Sequence, residues 1–416
     1  MHNEPSTRST HSTHSAHDTT RHPEPVTLPT ERHTGCPFDP PAELTRMREE
    51  APLRRLSFPD GHIGWLATGY TAVRSILSDQ RFSSRYELAH YPLADIGELP
   101  PAPLGDLTGI DAPEHTRYRR LLMGKFTVRR MRRLTERVEQ ITTEHLDAME
   151  RRGGPVDLVE AFAQPIPALM ICELLGVPTA GREVFHRHAT TLLDQKATDE
   201  EKGAAGTALF ETIHALVLAK RTEPTDDLLS DLTSTDLTDE ELSALGAFLL
   251  GAGLDTTANQ LALGTFALLR NPDQFAALRD DPGLADQAVE ELLRYLSIAD
   301  PMVRAALEDV EVEGQVIKAG ETVVCSVQAA NRDARRFPDP DSLDLHRKAT
   351  GHLSFGHGAH QCLGQQLARV EMCVALPALV TRFPTLRLAV ASDRIPLREQ
   401  MNIYGVHSLP VTWDKE

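Results

Sequence analysis

The sequence contains no apolar run approaching the ~18 residues that a helix needs to span a bilayer. No apolar stretch of the kind a secretory leader requires follows Met1. Neither a membrane anchor nor a signal peptide is expected, and the chain reads as cytoplasmic. Basic charge is also in short supply. Against 60 Asp and Glu stand 43 Lys and Arg, a net charge of −17, which argues against nucleic acid as a partner. Cysteine is sparse: five residues, at 36, 172, 325, 362 and 373, widely scattered and without a CxxC pair. That fits a reducing compartment better than a disulfide framework. No internal repeat is visible. What is present is 416 residues of 41% hydrophobic content, enough for a substantial core. The length suggests two or three domains, or one large domain wrapped around a cofactor.

Residues 1–30 are rich in Ser, Thr and His with little to bury. They read as a disordered tail ahead of an ordered domain over 31–416. Gly64–Thr68 reads as a strand and Tyr70–Leu77 as a helix. Residues 85–110 are rich in Pro and Gly and resist a periodic reading. Amphipathic spacing predicts helices over Arg117–Lys125, Arg129–Arg151, Leu158–Leu175 and Gly181–Thr222. Short strands are expected at Val310–Val312, Val316–Ile317, Thr322–Val324 and Val406–Trp413. The expected class is mainly α with a small β-rich part.

One helix stands out. Thr238-Asp239-Glu240-Glu241 forms a capping box, and Asn271-Pro272 ends the run. It is apolar around most of its circumference, so it should be buried. Its middle carries Gly251-Ala252-Gly253-Leu254-Asp255-Thr256-Thr257. Glycine costs about 1 kcal/mol in a helix interior, and Asp and Thr compete with the backbone for hydrogen bonds. The ladder is expected to loosen here, as at a functional site. The plainer alternative is a kinked core helix with a satisfied Asp.

The most informative segment is Phe355-Gly356-His357-Gly358-Ala359-His360-Gln361-Cys362-Leu363-Gly364. Three glycines allow tight turns and close approach to a flat ligand. A helical run starts after Gly364, so the sulfur should lie near a helix N-terminus, which favours negative charge and hence the metal-binding thiolate. Two alternatives stand beside this. One is a buried structural cysteine. The other is a zinc or non-haem iron site built from His352, His357, His360 and Cys362.

This decapeptide resembles the haem-binding loop of cytochrome P-450 enzymes, Phe-Gly-x-Gly-x-(His or Arg)-x-Cys-x-Gly, with every defining position filled. Ala252–Thr256 is similar to the family's (Ala or Gly)-Gly-x-(Asp or Glu)-Thr on its central helix. Glu291-Leu292-Leu293-Arg294 matches its ExxR, and Asp111–Arg120 resembles a segment of its bacterial members. The resemblance runs from about residue 36 to the end. It implies the single-domain, mostly helical P-450 fold and NAD(P)H-dependent monooxygenation by haem b (iron protoporphyrin IX).

The resemblance also implies roles. Cys362 would ligate iron, within a loop whose Phe355, Gly356 and Gly364 contact the haem. His115, Arg119, Arg304 and His360 would bind the propionates. Ala252 and Gly253 would open a groove for dioxygen, with Asp255 and Thr256 organising water and protons. Glu291 and Arg294 would be structural, with Arg332 or Arg335 as partner region. Electrons would come singly from a separate ferredoxin or flavodoxin with its reductase. The nine Lys or Arg among residues 117–137 would be either a solvated helical face or a docking patch for that acidic donor. The chain is expected to act as a monomer.

By the same resemblance the substrate is a hydrophobic small molecule, a secondary metabolite such as a polyene macrolide. Candidate pocket residues are the 85–110 loop, Leu192, Leu193, Leu249, Ala252, Met302, Val303, Asn402 and Ile403. A non-oxygenating haem-thiolate enzyme and a haem-binding sensor remain alternatives.

Overall fold

The structure, a computed structural model, describes residues 24–32, 35–125, 128–193, 197–398 and 403–414. Helices dominate it. The ones that build the site are α1 (Glu114–Met123), α2 (Val128–Arg152), α3 (Pro165–Leu175), α4 (Thr179–Leu193), α5 (Asp199–Thr222), α6 (Asp239–Arg270), α7 (Ala285–Leu296) and α8 (Gln365–Arg382). A five-stranded sheet of order β1-β2-β5-β4-β3 flanks them. Its strands are β1 (Leu53–Ser57), β2 (Ile63–Ala67), β3 (Phe82–Ser83), β4 (Met302–Ala306) and β5 (Thr322–Cys325). All neighbours are antiparallel except β2 with β5, which run parallel. The expected strand pair forms a hairpin, Val310–Val312 with Gln315–Ile317. Pro410–Thr412 pairs with Val156–Asp157 and Arg387–Leu388.

α6 is the axis of the molecule. Its start is fixed by a reciprocal cap: Glu241 N–H donates to Thr238 Oγ1 (3.1 Å) and Thr238 N–H to Glu241 Oε2 (2.8 Å). It runs 32 residues, about 48 Å at 1.5 Å per residue. From Thr257 to Leu268 every residue is buried. The expected loosening does not occur, and the helix passes through Gly251–Thr257 unbroken. The Thr256 hydroxyl donates to Ala252 O (2.9 Å), a back-bond that competes with the ladder without replacing it.

Three boundaries differ from those expected. Val26 pairs with β1, its N–H donating to Arg55 O (3.0 Å), so the segment read as a tail joins the sheet from there; residues 1–23 lie outside the described residues. The run Gly181–Thr222 is two helices, because Thr198 with Glu201 makes a second capping box that starts α5. Leu158–Leu175 opens with a π-helical stretch at Val159–Ala163 before α3. Between Arg85 and Ile110 the chain is irregular apart from one turn at Tyr86–Leu88.

Behind the site lies a buried polar brace. Arg294 and Glu291, on α7, are both fully buried and paired at 2.7 Å. Arg294 also donates to the carbonyls of Asn331 (3.0 Å) and Pro340 (2.8 Å). The second cation on Glu291 is Arg347, at 3.1 Å, and not Arg332 or Arg335. Arg332 turns instead to Asp341 (2.9 Å) and the Tyr295 ring, and Arg335 to Asp333 (2.8 Å).

Candidate active site

The Cys362 loop folds as its glycines demand. Gly356 and Gly358 take positive φ (70° and 75°). A Cβ on Gly358 would sit 2.5 Å from Leu77 O, which only hydrogen tolerates. Gly364 differs: its φ is ordinary (−78°), and a Cβ there would meet nothing within 4 Å. It faces the cavity described next. Cys362 N–H donates to Phe355 O (2.8 Å), closing the loop.

A cavity with about 320 Å³ open to the centres of water molecules lies over this loop. It is bounded by α1, α3, α6, the N-terminus of α8 and the segment Ile298–Met302. It gathers His115, Arg119, Ala252, Gly253, Thr256, Phe355, His360, Cys362 and Gly364. Of the substrate-pocket candidates, Leu249, Ala252 and Met302 line it, as do Leu107 and Thr108 from the irregular loop. Val303 does not, Leu192 is exposed on α4, and Asn402 lies outside the described residues. Cys362 is surrounded by protein yet exposed, because it faces the cavity. Burial pushes its thiol upward. The backbone amide of Gly364, then Arg119, Arg369 and the amide of Gln365, pull the other way and favour the thiolate.

One end of the cavity is cationic. Arg119 donates to Gln361 O (2.6 Å). Arg304, on β4, is 8% exposed and donates to Val303 O (2.8 Å). Neither forms an ion pair among the described residues. The His115 and His360 rings pack at 4.0 Å, and His360 Nδ1 is buried without a partner. Burial, then His115 and Arg304, push His360 down to about 4. Burial, then Arg119, likewise lower His115. The nearest acid, Asp111, already accepts from Ser83 Oγ (2.5 Å) and Ser84 N–H (3.0 Å). One buried guanidinium and one half-buried one, neither in an ion pair, are costly to hold together unless an anion sits there. A flat dicarboxylate over Gly364, with its acids at this end and a metal at Cys362, fits the residues present.

The alternatives fare worse. Among the described residues no three His, Cys, Asp or Glu side chains are grouped as a metal site. His352 lies 3.3 Å from Glu290, on α7. A merely structural cysteine would not explain the cavity or its unpaired cations.

Asp255 is not in the cavity wall. It faces the adjoining side of α6, where Arg398 grips it in a fork at 2.6 and 2.9 Å. Asn259 Nδ2 donates to the same carboxylate at 2.9 Å. Arg398 had no signal in the sequence, standing 143 residues away. Two further lining residues escaped notice. Gln260 has neither amide atom bonded, and Glu371 on α8 is buried with Oε2 unpartnered. The basic stretch is largely neutralised. Arg129, Arg130 and Arg133 converge on Asp226 (3.1, 3.6 and 2.5 Å), and Arg117 pairs with Glu241 (2.6 Å).

A model of the cytochrome P450 family matches residues 283–408. Cytochrome P450 105C1 of a Streptomyces species is 52% identical over 94% of this chain and 99% of that protein. Pentalenic acid synthase of Streptomyces avermitilis is 46% identical, covering 94% and 98%. The crystal structure of CYP105P1 in complex with filipin I superposes with a TM-score of 0.87 at 43% identity, covering 94% of this chain and all of that one. The chain belongs to the cytochrome P450 family, among its CYP105 members. It is a haem-dependent monooxygenase with the single-domain, mainly helical P450 fold, supplied with electrons by separate redox partners. No helix among the described residues is long and apolar enough to cross a membrane.

Proposed function

We propose that this enzyme oxygenates a hydrophobic secondary metabolite of polyene-macrolide type. The observation that carries the reading is the cavity. Its wall carries one thiol, one end holds cations in no ion pair among the described residues, and its apolar lining includes Ile171, Leu174, Phe248, Leu249 and Met302. Apolar lining selects by burial and shape, and directs no hydrogen bonds of its own. A solved relative binds filipin I, which supports a macrolide over a smaller guest.

Haem, when bound, supplies activation of dioxygen. The protein's part is division of labour. Cys362 holds the metal as thiolate, aided by the Gly364 and Gln365 amides. Arg119, Arg304, His115 and His360 hold the two propionates. Ala252 and Gly253 keep the helix surface low where it lines the cavity, which would leave room for a small guest. Thr256 has a rotatable hydroxyl that leaves its bond to Ala252 O to hold a water. Asp255 is the source of protons on that side of α6. A ferredoxin or flavodoxin with its reductase is the electron source, and the enzyme works as a monomer.

The test is a titration of purified holoenzyme with filipin I and other polyene macrolides, read in the haem absorption spectrum. The expected result is a saturable low-to-high-spin shift. No shift with any macrolide, alongside a shift with a smaller terpenoid acid, would move the substrate class.

A further inference from the structure

Glu290 stands beside Glu291 on α7 yet serves different partners. Arg369, on α8, donates to its carboxylate through Nε (2.5 Å) and Nη2 (3.2 Å), a two-pronged charged grip. His352 Nε2 lies 3.3 Å from Glu290 Oε2, close enough for charge to act though not aligned as a hydrogen bond. Ser354 N–H donates to His352 Nδ1 (3.1 Å), which leaves the proton of the neutral ring on Nε2, toward the carboxylate. Burial pushes Glu290 up, but His352 and then Arg369 outweigh it and bring it down to about 2. Glu290 is therefore a fixed anion.

Four side chains close a ring here. The Arg369 guanidinium sits 4.6 Å from the centroid of the Phe355 ring, and the Phe355 and His352 rings are 5.9 Å apart. His352 and Phe355 lie where the chain enters the Cys362 loop, and Arg369 lies in the helix that leaves it. Glu290 thus ties both ends of the loop to one point on α7. Of the four, only Phe355 lines the cavity. Arg369 Nη1 also donates to Gln365 Oε1 (3.0 Å). Against burial, which raises the Cys362 thiol, Arg369 is among the groups that favour its thiolate.

We propose that Glu290 is a positioning residue that fixes Arg369 against the Phe355 ring and balances its charge, so that this pair sets the reduction potential of the haem held by Cys362. Uptake of one electron from the redox partner adds negative charge at the site. A nearby cation favours that and a nearby anion opposes it. The inference rests on the reading of Cys362 as the thiolate that holds haem iron.

The experiment is a spectroscopic redox titration of holoenzyme without substrate. It compares wild type, Arg369→Gln, Arg369→Lys, Glu290→Gln and the Glu290→Gln/Arg369→Gln double variant. Arg369→Gln should lower the equilibrium constant for one-electron reduction about tenfold, a fall of about 59 mV. Glu290→Gln should raise it by a similar factor. The double variant, with both charges gone, should return toward wild type. Arg369→Lys keeps the charge and should stay nearer wild type than Arg369→Gln. Packing alone would leave the potential unmoved or shift every variant in one direction, and either result overturns the proposal. Should Arg369→Gln fail to hold haem, Glu290→Gln carries the test, and a potential at or below that of wild type overturns it. If wild type itself lacks the thiolate-bound band with carbon monoxide, the Cys362 reading fails instead.

Discussion

The carboxylate of Glu291 and the guanidinium of Arg294 meet at 2.7 Å with neither exposed to solvent. Such a pair stands only because every remaining donor and lone pair is used. Arg294 serves two backbone carbonyls, and Glu291 also takes Arg347 and the Asp344 N–H (3.1 Å). Removing one partner strands a buried charge, so Arg294→Met should cost about 3–5 kcal/mol. Urea unfolding measures this. A loss below about 1 kcal/mol, the scale of a surface pair, would mean that the brace is not load-carrying.

Glu371 makes a pH-dependent contribution of opposite character. Burial alone pushes its carboxyl from 4.5 up to about 8. Between those values the folded protein holds a proton that the unfolded chain has released. Stability therefore falls as pH rises through this window, by roughly 1.4 kcal/mol per unit, and levels off above it. Glu371→Gln removes that slope. From about pH 6 to about pH 8 the variant should gain on wild type by ~2–3 kcal/mol in urea unfolding. A gap that stays constant with pH would show that Glu371 is already ionised in the fold.

Thr256 contributes one bond inside its own helix, and alanine is the better helix former. Thr256→Ala should therefore change stability by no more than about 0.5 kcal/mol. Its effect belongs to chemistry: NAD(P)H consumption continues while hydrogen peroxide rises and product falls. Unchanged peroxide release per NAD(P)H would remove the hydroxyl from the mechanism.

The cations on α1 and α2 divide into two sets. Arg129 and Arg133 share Asp226, and Arg130 is 7% exposed with Asp231 at 2.9 Å. Arg130→Glu would set three acids together and destabilise the chain. Within the basic stretch 117–137, Arg120 and Arg132 are exposed and form no ion pair among the described residues, so they are charges open to an acidic donor. Arg120→Glu with Arg132→Glu should slow ferredoxin-driven turnover about tenfold at low ionic strength, less as salt rises. Peroxide-driven turnover should not change. Equal slowing of both reactions would rule out a docking effect.

What could be read from sequence was what is local. The Cys362 decapeptide carries its own geometry in its glycines, and the Thr238–Glu241 box marks where α6 begins. The same four residue types at Thr198–Glu201 mark the start of α5, a legible signal hidden inside a long amphipathic run. Pairings across the fold were not legible. Arg332, Arg335 and Arg347 all follow Glu291, and only tertiary packing selects Arg347. Nothing near Arg398 shows that it closes on Asp255, or near Asp226 that it gathers three arginines. The α6 middle misled because helix propensity counts each residue alone, whereas packing holds this ladder together.

The account turns on Cys362 as the thiolate that holds haem iron. The direct measurement is the carbon-monoxide difference spectrum of the reduced protein, wild type against Cys362→Ser. The account predicts the strongly red-shifted band of a thiolate-bound haem in wild type and its loss in the variant. The same band in both proteins would contradict it.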